Sequence, residues 1–182
     1  MNLKPINPYY RQTVSPLART YSLRNTTYPF TWIEPVTDRT QADVDYAKTL
    51  LAKSWEEFTA KEKEAYLSGL KGCLNRADLE RMENNIQILL DVLEIESGSY
   101  VDAIPEFPTT TYFAQMQSNV AAIRAGYSIH ADTPEVPELP FNTWQKYNDI
   151  EKILADVYET VSAQLKYFTG EIYAGDIVGL IL

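Results

Sequence analysis

The chain has 182 residues, with 25 acidic against 16 basic side chains and a formal net charge of −9 at pH 7. This length suits one domain, and the acidity excludes a nucleic-acid-binding body, because phosphate contacts need clustered lysine and arginine. No apolar run approaches the roughly 20 residues of a membrane span, and the single cysteine, Cys73, excludes an internal disulfide.

Residues 1–33 differ from the rest of the chain in charge and in pattern. They carry four basic side chains and no acidic one, so this segment is +4 and residues 34–182 are −13. The segment also holds prolines and six aromatic residues, and it shows no helical period. Alone, such a segment cannot bury enough surface to offset its ordering entropy. We therefore predict an extended N-terminal arm, residues 1–36, that docks on a partner.

The residues expected to make that contact are aromatic or cationic side chains of the arm, with the apolar C-terminal residues as second candidates. They are Tyr9, Tyr10, Arg11, Arg19, Tyr21, Arg24, Tyr28 and Trp32, followed by Leu180, Ile181 and Leu182. Tyrosine and tryptophan supply large, rigid contact areas with a polar tip, which suits interfaces. Exposed apolar surface costs about 25 cal/mol per Å², so we expect the C-terminus to pack on the bundle or on a neighbour.

Two short helices are predicted after the arm. Each begins with a capping box, in which a threonine is followed three residues later by an acid: Thr40 with Asp43, and Thr59 with Glu62. The first helix is expected over residues 41–54. The second carries Tyr66, Leu67 and Leu70 and is expected to end near Gly72, a residue type that favours the left-handed conformation found after helices.

Three longer helices complete the prediction, over residues 76–95, 110–126 and from about 144 to 168, with Asn75 and either Asn142 or Thr143 as caps. Their apolar side chains recur at helical spacing and are the expected core: Leu79, Met82, Ile86, Leu89, Leu90, Leu93; Tyr112, Phe113, Met116, Val120, Ile123; Trp144, Tyr147, Ile150, Ile153, Leu154, Val157, Val161, Leu165. The fold class is mainly α, a bundle of about five helices (residues 37–169) with an extended arm and a short extended C-terminal segment (residues 170–182).

Two asparagines lie in the middle of the third predicted helix, where asparagine is a poor helix former. Asn84 is expected to face water. Asn85 lies nearer the apolar stripe and is the better candidate for a buried amide, which can fix the register of an interface at some cost in stability.

Candidate catalytic or metal-binding residues are few. His130, with Asp132 and Glu135, could bind a metal or transfer a proton, but a lone loop histidine is more often a surface residue. Cys73 is expected to be a small buried apolar residue. The sequence has no glycine-rich phosphate loop.

The acidic pairs, including Glu80 with Glu83, alternate with lysine and arginine, as is typical of solvated helix faces. These patterns favour a protein that is not an enzyme and that binds no cofactor and no metal.

One run of residues resembles a known family. Residues 74–86 read LNRADLERMENNI, similar to an N-x-x-D-L-N-R-I-E-N-N-I helix of structural proteins of tailed bacteriophages, especially tail, baseplate and fibre components. Residues 38–44, 69–72 and 142–151 resemble the same module, although Glu80 and Met82 replace the asparagine and isoleucine of the pattern. The resemblance implies a non-enzymatic virion protein, made in the host cytoplasm, that assembles with other virion proteins and with itself.

Two alternatives remain open. One is a host-surface glycan-binding module that uses exposed aromatic residues, with Trp32, Trp55 or Trp144 as reporters of saccharide binding. The other is a hydrolase that uses His130 with nearby acids. No nucleic-acid partner and no membrane span are expected for any of these functions.

Overall fold

The computed structural model describes residues 31–95 and 104–169, and within these ranges the protein contains helices and no strand. The helices are α1 (Gln41–Leu51), α2 (Ala60–Ser68), α3 (Arg76–Val92), α4 (Thr110–Gly126) and α5 (Trp144–Thr169), with a 3-10 turn at Trp55–Glu57. The predicted mainly α fold with five helices is confirmed. Among the described residues, no helix combines the length and the apolarity needed to cross a bilayer.

The central core lies between the three long helices. A compact unit spans Phe30–Glu159, and the last turns of α5, from Thr160, belong to a second unit whose other residues lie outside the described ranges. In the first unit, the stripes of α3, α4 and α5 meet through side chains that are at most 1% exposed: Met82, Ile86, Leu89, Met116, Val120, Ile123, Ile150, Ile153, Leu154 and Val157. Burial of this apolar surface is the main force that holds the bundle together.

The two short helices surround a smaller core made of Ala47, Leu50, Phe58 and Leu70. Helix α2 buries none of its own nine residues. Of the apolar residues that its sequence carries, Tyr66 and Leu67 are exposed, and only Leu70, which lies beyond the end of the helix, is buried.

Local signals place the helix starts correctly. In both predicted capping boxes the threonine hydroxyl accepts a hydrogen bond from the backbone N–H of the acid, and the acid accepts one from the threonine N–H: Thr40 with Asp43, and Thr59 with Glu62. Helix α4 has the predicted bounds, whereas α1 and α3 each end three residues earlier than predicted. At α3, the Asp78 carboxylate accepts from the Asn75 N–H at 2.9 Å.

The prediction that α2 ends near Gly72 is wrong. The helix ends at Ser68 because Gly69 adopts a φ of +92°, a conformation that glycine reaches without steric cost. Gly72 has a different role: a Cβ atom at this position would collide with the backbone of Asp43 in the first turn of α1. The turn at residues 71–74 therefore lies against α1 so closely that only glycine fits.

Candidate functional site

Residues 31–39, which we call the anchored segment, precede α1 without forming helix or strand, so side chains must satisfy their backbone groups. Asn85 of α3 accepts a hydrogen bond from the Ile33 N–H at 3.1 Å and donates one to the Ile33 carbonyl at 2.6 Å. Asn84 donates to the Thr31 carbonyl at 2.9 Å. Both amides thus contact the backbone of the segment and not its side chains.

The expectation that Asn85 is the buried amide of the pair is confirmed, since the residue is 1% exposed. Its partner is an extended segment rather than another helix. Because an unpaired buried amide is costly, the Asn85 position specifies one docked path for the segment.

The segment ends in a cluster of four buried or partly buried charges, which we call the charge cluster: Arg39, Asp78, Arg81 and Glu151. The Nη2 atom of Arg39 lies 3.0 Å from Asp78 Oδ1 and 2.8 Å from Glu151 Oε1. Arg81 contacts the same two acids, with Nη2 at 2.6 Å from Asp78 Oδ1 and 2.8 Å from Glu151 Oε1. Two positive and two negative charges make the cluster neutral, which permits its burial.

Polar contacts from the segment backbone complete the cluster. The Val36 N–H donates to Glu151 Oε2 at 2.7 Å, and Arg39 Nη1 donates to the Val36 carbonyl at 2.6 Å. Asn148 of α5 donates to the Arg39 carbonyl at 2.9 Å. The segment is thus bonded to α3 through Asp78 and to α5 through Glu151 and Asn148, and Arg81 bonds to both of these acids.

Two members of the cluster, Asp78 and Arg81, have pKa values that favour their charged forms. Burial alone would raise the pKa of Asp78, but hydrogen bonds from the Asn75 backbone and from Arg81, with the nearby Arg39, hold it below its usual range. The hydrogen bond with Glu151 raises the pKa of Arg81 above its usual range. Asp78 and Arg81 therefore contribute stable opposite charges to the cluster.

Only one of the predicted docking residues lies within the described ranges. The Trp32 ring stacks on the Tyr158 ring of α5, with centroids 3.8 Å apart and an interplanar angle of 5°. The other predicted docking residues lie outside the described residues: Tyr9, Tyr10, Arg11, Arg19, Tyr21, Arg24, Tyr28, Leu180, Ile181 and Leu182. Trp32 therefore contributes a further contact between the anchored segment and α5.

The charge cluster was not predicted from the sequence. One available signal was Glu151, which lies between Ile150 and Leu154 on the apolar stripe of α5 and is 1% exposed. A charge at such a position needs a partner. The assignment of Glu83 to a solvated face is also wrong: it is partly buried, and burial raises the pKa of its carboxyl group.

A second feature is a cleft of about 480 Å³, which we call the lysine cleft. Its walls come from α1, from the turn at residues 71–74 and from residues 141–147. The lining side chains include aromatic residues, cations and amides: Phe141, Trp144, Tyr147, Arg39, Lys48, Lys71, Gln41, Asn142 and Gln145. Cys73, expected to be buried, is half-buried and lines this cleft.

The structure brings His130 together with Asp132 and Asp156, whose possible ligand atoms lie within 4.8 Å of one another. Glu135, the third member of the predicted group, pairs instead with Arg124 at 2.7 Å. The ammonium of Lys152 lies 2.9 Å from Asp156 Oδ1 and 3.4 Å from Asp132 Oδ2. The Lys152 ammonium thus already balances the negative charge of the two carboxylates that would otherwise bind a metal.

The comparisons with known proteins add no assignment to this geometry. No protein-family model, no curated protein and no solved structure matches the chain. A functional proposal therefore depends on the anchored segment, the lysine cleft and the motif resemblance.

Proposed function

We propose that this protein is a non-enzymatic structural component of a tailed-bacteriophage particle, in the tail, baseplate or fibre-attachment region, and that it assembles with neighbouring subunits through its N-terminal arm. The observation that carries the proposal is the fixed attachment of residues 31–39 to α3 and α5 through Asn85 and the charge cluster. Residues 1–30 join the described chain at Thr31, whose carbonyl is itself hydrogen-bonded.

A fixed attachment point favours assembly for an entropic reason. Ordering a flexible segment on a neighbour costs conformational entropy, and that cost falls when one end of the segment is already held in place. The charge distribution supports the same role, since residues 1–33 are +4 and the rest of the chain is −13. Opposite charges on arm and body favour docking of one subunit's arm on another subunit's body.

The phage assignment is supported by the roles of the motif residues. Residues 74–86 carry the resemblance, and this run contains Asp78, Asn84 and Asn85, which bond to the anchored segment, and Arg81, which bonds to Asp78. Three of the eight residues that match the family pattern, Asp78, Asn84 and Asn85, thus bond directly to the anchored segment.

Light scattering on the full chain and on a variant lacking residues 1–30 tests the proposal. The truncation ends before Thr31 because Thr31 and Ile33 are hydrogen-bonded to α3. We expect an oligomer for the full chain, and a monomer with unchanged helical circular dichroism for the truncated variant. A full-length control, in which alanine replaces Tyr9, Tyr10 and Arg11, should also lose assembly; equal assembly of all three proteins would contradict the proposal.

A host-surface glycan-binding module is the second candidate, and one observation favours it. Trp144 lies partly exposed in the wall of the lysine cleft. The other two tryptophans do not line the cleft: Trp32 stacks on Tyr158, and Trp55, although 46% exposed, packs against Phe58. Binding of a sugar should therefore change the signal of Trp144 and leave the signals of the other two tryptophans unchanged.

A further inference from the structure

We propose that the lysine cleft binds an acidic saccharide, with the sugar ring against Trp144 and its carboxylate paired with Lys71 and Lys48. This inference deepens the second candidate function and rests on it. It is independent of the assembly role, because none of the lining residues belongs to residues 1–30.

The charge of the cleft is opposite to that of the chain. The protein has 25 acidic residues and a net charge of −9, yet its cleft is lined by three cations and, among the described residues, by no carboxylate. Arg39 is committed to Asp78 and Glu151, so it shapes the wall and is not available to a ligand. The two lysines remain as the charges that an anion can reach.

Both lysines are held only by exposed partners. Lys71 pairs with Asp38 at 2.7 Å, and the two side chains are 39% and 77% exposed. Lys48 lies 3.9 Å from Asp45, and both of these side chains are mostly exposed. Because exposed ion pairs contribute little to stability, a ligand carboxylate can take the place of Asp38 at small cost.

The rest of the lining suits a sugar. The apolar face of a sugar ring packs on an aromatic ring, and its hydroxyl groups bond to amide side chains, a pairing of apolar and polar contacts that is typical of small-ligand sites. Trp144 supplies the ring, and its Nε1 atom donates to Gln41 Oε1 at 3.3 Å. Asn142 and Gln145 are exposed amides at the same end of α5.

The size of the cleft points to a small sugar. Its volume of about 480 Å³ lies within the range of about 300–1,000 Å³ typical of small-ligand sites. The hydroxyl of Tyr147 is already bonded to the Phe141 carbonyl at 2.8 Å, so these two residues offer apolar surface.

Nuclear magnetic resonance titration of the ¹⁵N-labelled full chain tests the inference. The probes are glucuronic acid and glucose, which differ by one carboxylate, and the readout is the indole N–H resonance of Trp144, assigned with Trp144→Phe. We expect glucuronic acid to shift this resonance with an affinity at least about fivefold higher than that of glucose, because only the acid forms a charge-assisted pair.

Two variants test the role of Lys71: one removes its charge, and the other removes the carboxylate of its internal partner Asp38. Lys71→Gln should weaken glucuronic acid binding by about fivefold, and Asp38→Asn should strengthen it, because Lys71 then loses its internal partner. Neither change should affect glucose. Lys61→Gln is the matched control, since it removes the same charge from an exposed position outside the cleft and should leave binding unchanged.

Three results would overturn the inference. Equal binding of the two sugars, with no effect of Lys71→Gln, would remove the acidic specificity and leave a glycan site in place. No shift of Trp144 with either sugar at saturating concentration would remove the saccharide site altogether. A shift with a glutamate-rich peptide in place of the sugars would reassign the cleft to a peptide.

Discussion

Arg39 and Glu151 lie 112 positions apart in the sequence and form a buried ion pair, with Arg39 Nη2 at 2.8 Å from Glu151 Oε1. Their side chains are 5% and 1% exposed. Removing two such charges from water is costly, and the pair is stable only because Asp78, Arg81 and the Val36 N–H bond to the same groups. The pair joins the anchored segment to α5, so we expect the segment to stay docked only while the pair is intact.

Replacement of Glu151 should therefore strongly destabilise the fold. In Glu151→Gln, Arg39 and Arg81 share one buried acid, and we expect the free energy of unfolding to fall by about 3–5 kcal/mol, as for other broken buried pairs. Urea unfolding at pH 7 measures this change. Glu159→Gln is the control, an exposed position on the same helix that should change the value by less than about 0.5 kcal/mol. A similarly small loss for Glu151→Gln would mean that water compensates both arginines.

Replacement of Asn85 should release the start of the anchored segment without unfolding the bundle. Asn85→Ala leaves the N–H and the carbonyl of Ile33 without their partner, at a cost of about 1–3 kcal/mol. We expect faster hydrogen exchange at the Ile33 amide and unchanged exchange at Ile153 in the core. Asn84→Ala removes an exposed bond to Thr31 and a bond to Asn85 Oδ1, but it leaves both contacts of Asn85 with Ile33 in place, so its effect should be several-fold smaller. Equal exchange in both variants would contradict the docked path.

The parts of the fold that the sequence predicts well depend on signals within a few residues. Helix α4 has its predicted bounds, and the capping boxes at Thr40 and Thr59 form as expected, because a cap and its partner are three residues apart. The end of α2 was predicted wrongly because two glycines, Gly69 and Gly72, lie close together in sequence. Only the tertiary structure shows that one ends the helix and the other allows close packing on α1.

The contacts of the anchored segment were only partly predictable, because they join residues that lie far apart in the sequence. The position of Asn85 beside an apolar stripe indicated a buried amide, and this is correct. Its partner, Ile33, lies 52 residues away in an irregular segment, and no periodic pattern indicates such a contact. The burial of Arg39 likewise depends on acids 39 and 112 residues away, so composition and helical spacing could not reveal the charge cluster.

Glu83 should make the stability of the protein depend on pH. Burial raises the pKa of its carboxyl group above the ordinary 4.5, although the nearby Tyr112 hydroxyl opposes the shift. Its Oε1 atom is buried with no hydrogen-bond partner among the described residues. Since the folded-state pKa is raised, the contribution of Glu83 to stability is complete below about pH 4.5 and is lost as pH rises through the folded-state pKa.

Glu83→Gln, which stays neutral at every pH, should therefore be more stable than the wild type at pH 7 and equally stable near pH 4. Urea unfolding at the two pH values gives the comparison. Glu80→Gln, one turn away on the exposed face of α3, should show no such pH-dependent gain. If Glu83→Gln were less stable at pH 7, a charged carboxylate would be stabilising at this position, and the sign of the shift would be reversed.

Two glycines offer a matched test of close packing. A Cβ atom at Gly72 would collide with the Asp43 carbonyl, which belongs to backbone in the first turn of α1 and cannot move without disturbing the helix. At Gly126, the last residue of α4, a Cβ atom would meet the end of the flexible Ile95 side chain at 2.8 Å. We expect Gly72→Ala to lower the free energy of unfolding by about 1–3 kcal/mol, as for other overpacked sites.

Gly126→Ala should be neutral or stabilising, because alanine is favoured over glycine in a helix by up to about 1 kcal/mol and Ile95 can adopt another rotamer. Thermal unfolding of the two variants measures the difference. Gly72 and Cys73 also line the lysine cleft, so a displaced turn in Gly72→Ala should shift the Trp144 indole resonance even without ligand. Equal stability of both variants, with an unshifted Trp144, would mean that the turn can move away from α1 at no cost and does not set the shape of the cleft.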